Sequence, residues 1–325
     1  MWLNNYMEIF KEKNNSLESI NQVPFKLEKD IQKIVEENTQ TLFNLEFIAS
    51  EVSVGNYRID SLCFDVENNS FVIIEYKKGS SYSVIDQGYT YLQLLLNNKA
   101  DFLLIYSDFI DKVTKPTDID WSQSKIIFIS QSFNSYQKDS VNFKGLPFEL
   151  WEIAKYENNL FSLNQHQTSS TETIKSITSN ENEKIKSVNK EIIQYEESHH
   201  TKKYNKSLVD NWNSFKTLIL LEENVNMKVS KNYISFTLGN SKKTIAYFNS
   251  RADGFKVHIV RGFIREDGKE TKNFLTLDDP KKMAKEITWK YLNDVQHAYE
   301  IIFDQNTDVD YLLFLMKQQL KKMQS

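Results

Sequence analysis

Asp60, Glu75 and Lys77 stand close together in this 325-residue chain, in the spacing Asp-(x)14-Glu-x-Lys. Two carboxylates beside one ammonium can hold a divalent cation and manage the charge of a phosphate. Hard oxygen ligands with no Cys or His nearby suit magnesium or manganese rather than zinc. Lys77 beside such an ion can position or deprotonate a water, or neutralise charge on a pentavalent phosphate. On these three residues alone, a surface hairpin with an ordinary ion pair stays open as the alternative.

The elements that must position them are two strands and a helix. Arg58–Phe64 and Phe71–Lys77 are rich in apolar and β-favouring residues, and Glu67-Asn68-Asn69-Ser70 lies between them. The two asparagines tolerate the positive φ of a two-residue hairpin loop. With Asn68-Asn69 as that loop, Asp60 faces Lys77 and Leu62 faces Glu75. Asp60, Glu75 and Lys77 then share one face, because side chains two apart in a strand point the same way. Phe71-Val72-Ile73-Ile74 reads as a strand buried on both faces. A carboxylate at the end of such a strand needs a partner, and a cation between Asp60 and Glu75 supplies one. Tyr82–Asn97 repeats apolar residues at helical spacing. Gln87 and Tyr91 fall one turn apart on that helix. The glutamine can hydrogen-bond a metal-bound water or a phosphate, and the tyrosine can buttress Lys77 or stack on a base. Two half-buried helix residues are the plainer reading of that pair.

A strand with Asp60, a hairpin, Glu75-Tyr76-Lys77 and a helix with Gln87 and Tyr91 resembles the PD-(D/E)XK nuclease superfamily, particularly its RecB-like branch. The resemblance covers about residues 25–155. It implies an α/β fold: a restriction-endonuclease-like αβββαβ core with a mixed sheet. It implies catalytic roles for Asp60, Glu75, Lys77 and Gln87, with Mg2+ (or Mn2+) on Asp60 and Glu75. Many members place a further glutamate on the helix before the sheet. Here that is Glu28 on Phe25–Asn38, with Glu36 second. Tyr91, Lys78 and Arg58 are the expected nucleic-acid contacts. Ile59 stands where the superfamily's proline would precede the first Asp. The implied activity is a magnesium-dependent (deoxyribo)nuclease, an endonuclease first, with DNA as the partner. A catalytically silent nuclease-like subunit of a bacterial defence or repair system remains the alternative.

The whole chain sets bounds. It is 40% hydrophobic and 26% charged, an ordinary globular composition, with no apolar run long enough to span a membrane. The first residues lack the basic and apolar regions of a secretory signal. Cys63 is the single cysteine, which excludes an internal disulfide and a cysteine zinc site. The expectation is a cytoplasmic protein. Charge is uneven: residues 1–164 hold 15 Lys+Arg against 23 Asp+Glu, residues 165–207 hold 7 against 6, and residues 208–325 hold 18 against 15. The first segment, at −8, argues against tight metal-free binding of a phosphate backbone.

Composition and pattern divide the chain into a nuclease-like domain over 1–164, a polar linker over 165–207 and a small α+β domain over 208–325. In the first, Leu45–Val54, Phe102–Tyr106, Lys125–Ile129 and Pro147–Ala154 read as further strands. Trp2, Tyr6, Ile9 and Phe10 fit a short docking helix or strand. The linker has room for a solvated helix over 179–197, and His199-His200 within it read as unstructured rather than as a metal site. In the last domain, Leu208–Leu221 reads as a helix, and Val225–Val229, Tyr233–Leu238, Thr244–Asn249 and Lys256–Ile264 as strands. Pro280 starts a helix to about Ala284. The closing elements are 294–303 and 308–323, the second a helix. This domain resembles a small uncharacterised domain that often follows nuclease-like domains in bacteria. Lys242, Lys243, Arg251, Lys256, Arg261 and Arg265 recur there with Tyr247 and Phe248 between them. That pattern fits either a nucleic-acid surface or a charged sheet face over an aromatic core. A homodimer or a protein partner through this domain is equally open.

Overall fold

The computed structural model describes residues 8–77, 83–143, 145–167, 183–239, 243–265, 267–291 and 294–324. Lys78 and Lys242, with Trp2 and Tyr6, lie outside the described residues, as do 179–182 of the expected linker helix. The chain divides into two units, Met1–Gln194 and Tyr195–Ser325. The division falls within the stretch read as a linker.

In unit 1 the order is β1 (Ile9–Lys13), β2 (Ser16–Ile20), β3 (Gln22–Val23), α1 (Glu28–Glu36), α2 (Thr39–Phe43), β4 (Glu46–Val54), β5 (Tyr57–Asp65), β6 (Ser70–Lys77), α3 (Val84–Asn97), α4 (Lys99–Phe109), β7 (Lys125–Ser130), α5 (Ser135–Ser140), β8 (Phe148–Tyr156), β9 (Leu160–Gln165) and α6 (Glu183–Glu191). β4, β5 and β6 form an antiparallel meander, and β7 and β8 continue it in parallel. The result is a mixed sheet with helices on both faces. Every side chain of β6 is buried, as its unbroken apolar run requires. Ile31 and Val35 of α1 pack with Val72, Ile74 and Tyr76 on one face. Val84, Leu92 and Leu95 of α3 pack with Leu62, Phe71 and Ile73 on the other.

Two expectations for this unit are corrected. The hairpin turn spans four residues, not two: Asp65 pairs with Ser70, and Ser61 with Ile74. Asn68 is folded back by Asp65, whose Oδ1 accepts from its backbone N–H at 3.1 Å, and Asn69 takes the positive φ of 49°. The pairing therefore shifts by two residues, which changes partners but keeps faces. Asp60 falls opposite Glu75 rather than Lys77. The second correction concerns Phe102–Tyr106, which is helical in α4. Phe102, Leu103 and Tyr106 are buried while Leu104 is 62% exposed, a helical rather than a sheet pattern. A five-residue apolar run does not carry enough period to separate the two. The strand that returns beside β6 is β7.

Gly88 sets how closely α3 lies on the sheet. A Cβ built there would stand 2.6 Å from Cε1 of Phe148, whose ring packs edge-on against Tyr89. Gly88→Ala gains about 1 kcal/mol of helix propensity and costs about 1–3 kcal/mol in overpacking. The expected outcome is a net loss of stability on the order of 1 kcal/mol, read as a lower urea midpoint at unchanged slope. A midpoint at or above wild type would mean the ring moves aside without cost.

In unit 2 the order is α7 (Glu197–Thr201), α8 (Lys206–Leu220), β10 (Val225–Val229), β11 (Tyr233–Leu238), β12 (Lys243–Ser250), β13 (Phe255–Ile264), β14 (Lys285–Tyr291), β15 (Asp294–Phe303) and α9 (Val309–Gln324). The antiparallel sheet runs β10-β11-β12-β13-β15-β14. α8 and α9 cover one face of it around Trp212, Phe215, Phe236, Phe248, Phe255 and Phe303. The residues after Pro280 form a turn rather than a helix. Lys282 adopts φ 53°, and Asp279 caps the turn by accepting from the N–H of Ala284 at 2.7 Å. The strand β14 that follows has no counterpart in the sequence reading. His199 and His200 are ordered, not unstructured: their Nε2 atoms lie 3.1 and 2.8 Å from the carbonyls of Lys231 and Ser230. Phe248 belongs to the core, and Arg261 lies over the rings of Phe274 and Tyr299. Phe248 thus follows the aromatic-core reading of the pattern, and the Arg261 guanidinium is engaged by the Leu275 carbonyl and Glu286.

Candidate active site

The site forms where β5 and β6 lie side by side with α3 above them. Glu75 is at its centre, only 4% exposed at the end of the apolar strand. One carboxylate oxygen is well supplied: Lys77 Nζ lies 3.0 Å from Glu75 Oε1 and Gln87 Nε2 2.8 Å from it. The Tyr91 hydroxyl stands 3.3 Å from that oxygen and 3.2 Å from the carbonyl of Arg58, and donates to one at a time. Gln87 also reaches the tyrosine oxygen at 3.3 Å. The spacing of Gln87 and Tyr91 on α3 produces this convergence, because residues four apart lie on one side of a helix.

The other oxygen, Glu75 Oε2, is buried and has no hydrogen-bond partner among the described residues. An ionised carboxylate in that state is unfavourable. The Glu75 carboxyl is accordingly pushed up to about 7, by burial first and then by the charge of Asp60, while Lys77 draws it down. Asp60 sits on the neighbouring strand, and its Oδ2 accepts the backbone N–H of Tyr76 at 3.0 Å. Burial raises its carboxyl also, opposed by that hydrogen bond and by Lys77, and reinforced by Glu51 and Glu28.

The structure brings together Asp60, Glu75, Lys77, Gln87 and Tyr91. Tyr91 is buried, with its ring in the core and its hydroxyl turned to Glu75, so it is not presented for base stacking. Glu28 is not brought into contact. It is exposed on the first turn of α1 and acts on Asp60 through its charge. No group of three or more His, Cys, Asp or Glu side chains arranged to hold a metal occurs among the described residues. Arg58 is exposed and ion-paired with Glu51 at 2.8 Å. Glu36 serves the opposite face, accepting from Ser61 Oγ at 2.6 Å and Gln32 Nε2 at 2.9 Å.

Two residues near the site escaped the sequence reading. Glu51, at φ 55°, falls opposite Asp60 in the β4–β5 register. The Gly55-Asn56 turn carries that signal, since a two-residue loop there fixes the pairing. Gln32 donates to the carbonyl of Asp60 at 3.2 Å and to Ser50 Oγ at 3.0 Å, tying α1 to the strand that bears the aspartate. Nothing in the sequence marks it, because its partners come from three elements.

The fit of a divalent cation rests on this donor set. Two partly desolvated carboxylates on adjacent strands, one with a buried unpartnered oxygen, form a hard and anionic arrangement suited to magnesium or manganese.

No family model matches the chain. An uncharacterised protein of Haemophilus influenzae is 38% identical over 319 residues, which are 97% of this chain and 100% of the relative. Among solved structures, the chain is similar to an EndoMS–dsDNA2 complex, at TM-score 0.25 and 16% identity over 40% of this chain and 47% of that one. It is also similar to Pyrococcus furiosus SfsA in complex with Ca2+, at TM-score 0.22 and 16% identity over 41% of this chain and 62% of that one. The chain thus spans less than two thirds of either solved chain. No helix among the described residues is long and apolar enough to cross a membrane.

Proposed function

This chain belongs to the family of the Haemophilus influenzae protein, and we propose that its β5–β6–α3 site is a metal-dependent nuclease site of the PD-(D/E)XK type. The reaction is hydrolysis of phosphodiester bonds, with DNA as the first candidate substrate. The observation that carries this reading is the Glu75 carboxylate. One oxygen is fixed by Lys77, Gln87 and Tyr91, and the other is buried without a partner beside Asp60.

Asp60 and Glu75 would hold Mg2+ or Mn2+, which when bound supplies Lewis-acid polarisation and charge neutralisation at the scissile phosphate. The side chains of the chain do the rest. Gln87 and Tyr91 lock the carboxylate of Glu75 in one orientation. The backbone N–H of Tyr76 does the same for Asp60. Lys77, held 3.0 Å from Glu75, orients the attacking water and offsets the charge that develops on phosphorus. In this role Lys77 places a cation where negative charge appears.

The test is cleavage of a panel of single-stranded, duplex and flapped DNA and of RNA, with magnesium or manganese and with chelator. The expected outcome is cutting that needs the metal and disappears in Glu75→Ala. A second reading, a nuclease-like subunit that binds without cutting, is favoured by one observation. Unit 1 carries 19 Lys+Arg against 27 Asp+Glu, net −8. That reading predicts no cutting on any substrate and a partner affinity that Asp60→Asn leaves unchanged.

A further inference from the structure

Unit 2 has the opposite charge balance, with 21 Lys+Arg against 17 Asp+Glu, net +4. Among the described residues, the helices of unit 2 that pack on its sheet lie on one face. α8 and α9 pack on the Trp212 side, and α7 is tied to α8 by the Glu197 carboxylate, which accepts from Trp212 Nε1 at 2.6 Å and Lys216 Nζ at 2.7 Å. Strand alternation places Phe255, Val257 and Ile259 under the helices, and so Lys256 and His258 on the other face.

That face carries rings in a line across the strands. Tyr233 of β11 meets Tyr247 of β12 edge-on at 5.0 Å, Tyr247 pairs with His258 of β13, and His258 lies 5.8 Å from the ring of Trp289 of β14. Tyr233 is buried and buttresses the row. Tyr247, His258 and Trp289 are half-buried, as rings lying against a sheet are. From β12 to β14 is three strand spacings, about 14 Å. Lysines flank the line. Lys228, Ser235, Tyr247, His258, Glu300 and Lys285 form one row in register from edge to edge of the sheet. Lys256 stands beside that row, its Nζ 3.1 Å from Glu300, which His258 also meets at 3.3 Å. Glu300 neutralises part of the charge and holds Lys256 and His258 in place.

We infer that this face of the unit 2 sheet binds single-stranded nucleic acid. A row of half-exposed rings can stack on unpaired bases, and lysines at both edges and beside the row meet the phosphates. A duplex hides the base faces such a row would engage. The polyanion also complements the charge of unit 2, where unit 1 repels it. The role as a grip for substrate rests on the nuclease reading above, but the binding itself does not.

The experiment measures anisotropy of a labelled 20-mer of thymidylate with the full-length chain in chelator, where no cutting occurs, against a duplex of the same length. Expected is single-strand binding tighter than duplex binding, weakened about tenfold by Trp289→Ala and by Tyr247→Ala. Trp289→Phe should restore most of it. Lys256→Ala should weaken it less and flatten the salt dependence. Melting curves of each variant must match wild type, and Tyr247→Ala stands in if Trp289→Ala does not fold. Binding equal to wild type in both folded ring variants overturns the inference. So does preference for the duplex, or no binding at all. Single-strand binding lost with the rings, in a protein that cuts nothing with metal, upholds this face and sinks the nuclease reading instead.

Discussion

Lys77→Ala is expected to lower metal-dependent cleavage by about a thousandfold or more while leaving unit 1 folded. The argument starts from where the ammonium sits. Lys77 is 9% exposed, on the same face of β6 as Glu75, and its Nζ is 3.0 Å from the carboxylate oxygen that Gln87 and Tyr91 also hold. Removing it takes away a cation placed beside Glu75 to meet the charge that develops on phosphorus. It leaves the Glu75 orientation in the hands of the two α3 side chains. Lys77 also opposes protonation of Glu75 and Asp60, so its loss raises both carboxyls further. Metal binding by the variant should therefore be weaker near pH 7 and recover at higher pH. Cleavage should not recover. That split separates a chemical role from a structural one. Lys77→Arg keeps the charge in a bulkier, planar group and is expected to restore little of the rate. Wild-type cutting by Lys77→Ala on any substrate would remove this site from the reaction.

Much of this site was legible because its geometry is periodic. Gln87 and Tyr91 meet Glu75 for the reason their spacing gave. Asp60, Glu75 and Lys77 share a face although the turn has four residues rather than two, because the register differs by two residues, an even number. An odd difference would have scattered them. The α4 helix was not legible, since Phe102–Tyr106 is too short an apolar run to declare its period. Nor was β14, whose Lys285–Tyr291 stretch lacks a continuous apolar core and is held by pairing with β15. Tyr91 shows the other limit. Its type allowed stacking on a base, but burial in the α3–sheet core decides its use, and burial depends on residues far away in sequence. The same holds for Phe248 and Arg261 of unit 2.

The second large effect concerns the coupling of Glu75 to pH and metal. Its carboxyl is raised to about 7 in the folded chain, against the ordinary value of 4.5. A group raised in the folded state binds its proton more tightly there. It therefore contributes stability below about 4.5 that is lost as pH rises through about 7. A shift of this size corresponds to about 3 kcal/mol between the two limits, or about 6–12 °C in the melting temperature of a unit this size. Metal-free wild type should melt lower at pH 8 than at pH 5.5. Glu75→Gln has no proton to exchange and should show a shallower slope. The transition that the substitution moves is that of unit 1, which separates it from the melting of unit 2. Magnesium should then raise the melting temperature strongly at pH 8, where the carboxylate is free to bind it, and little at pH 5.5, where the proton competes. In Glu75→Gln both magnesium shifts should collapse. Parallel slopes for wild type and Glu75→Gln, measured by calorimetry in chelator, would show that the buried oxygen finds a partner in solution. The cation would then lose its place at the centre of the site. Burial of Glu75 makes the empty site unstable as an anion, and that same instability would drive the site to take up metal.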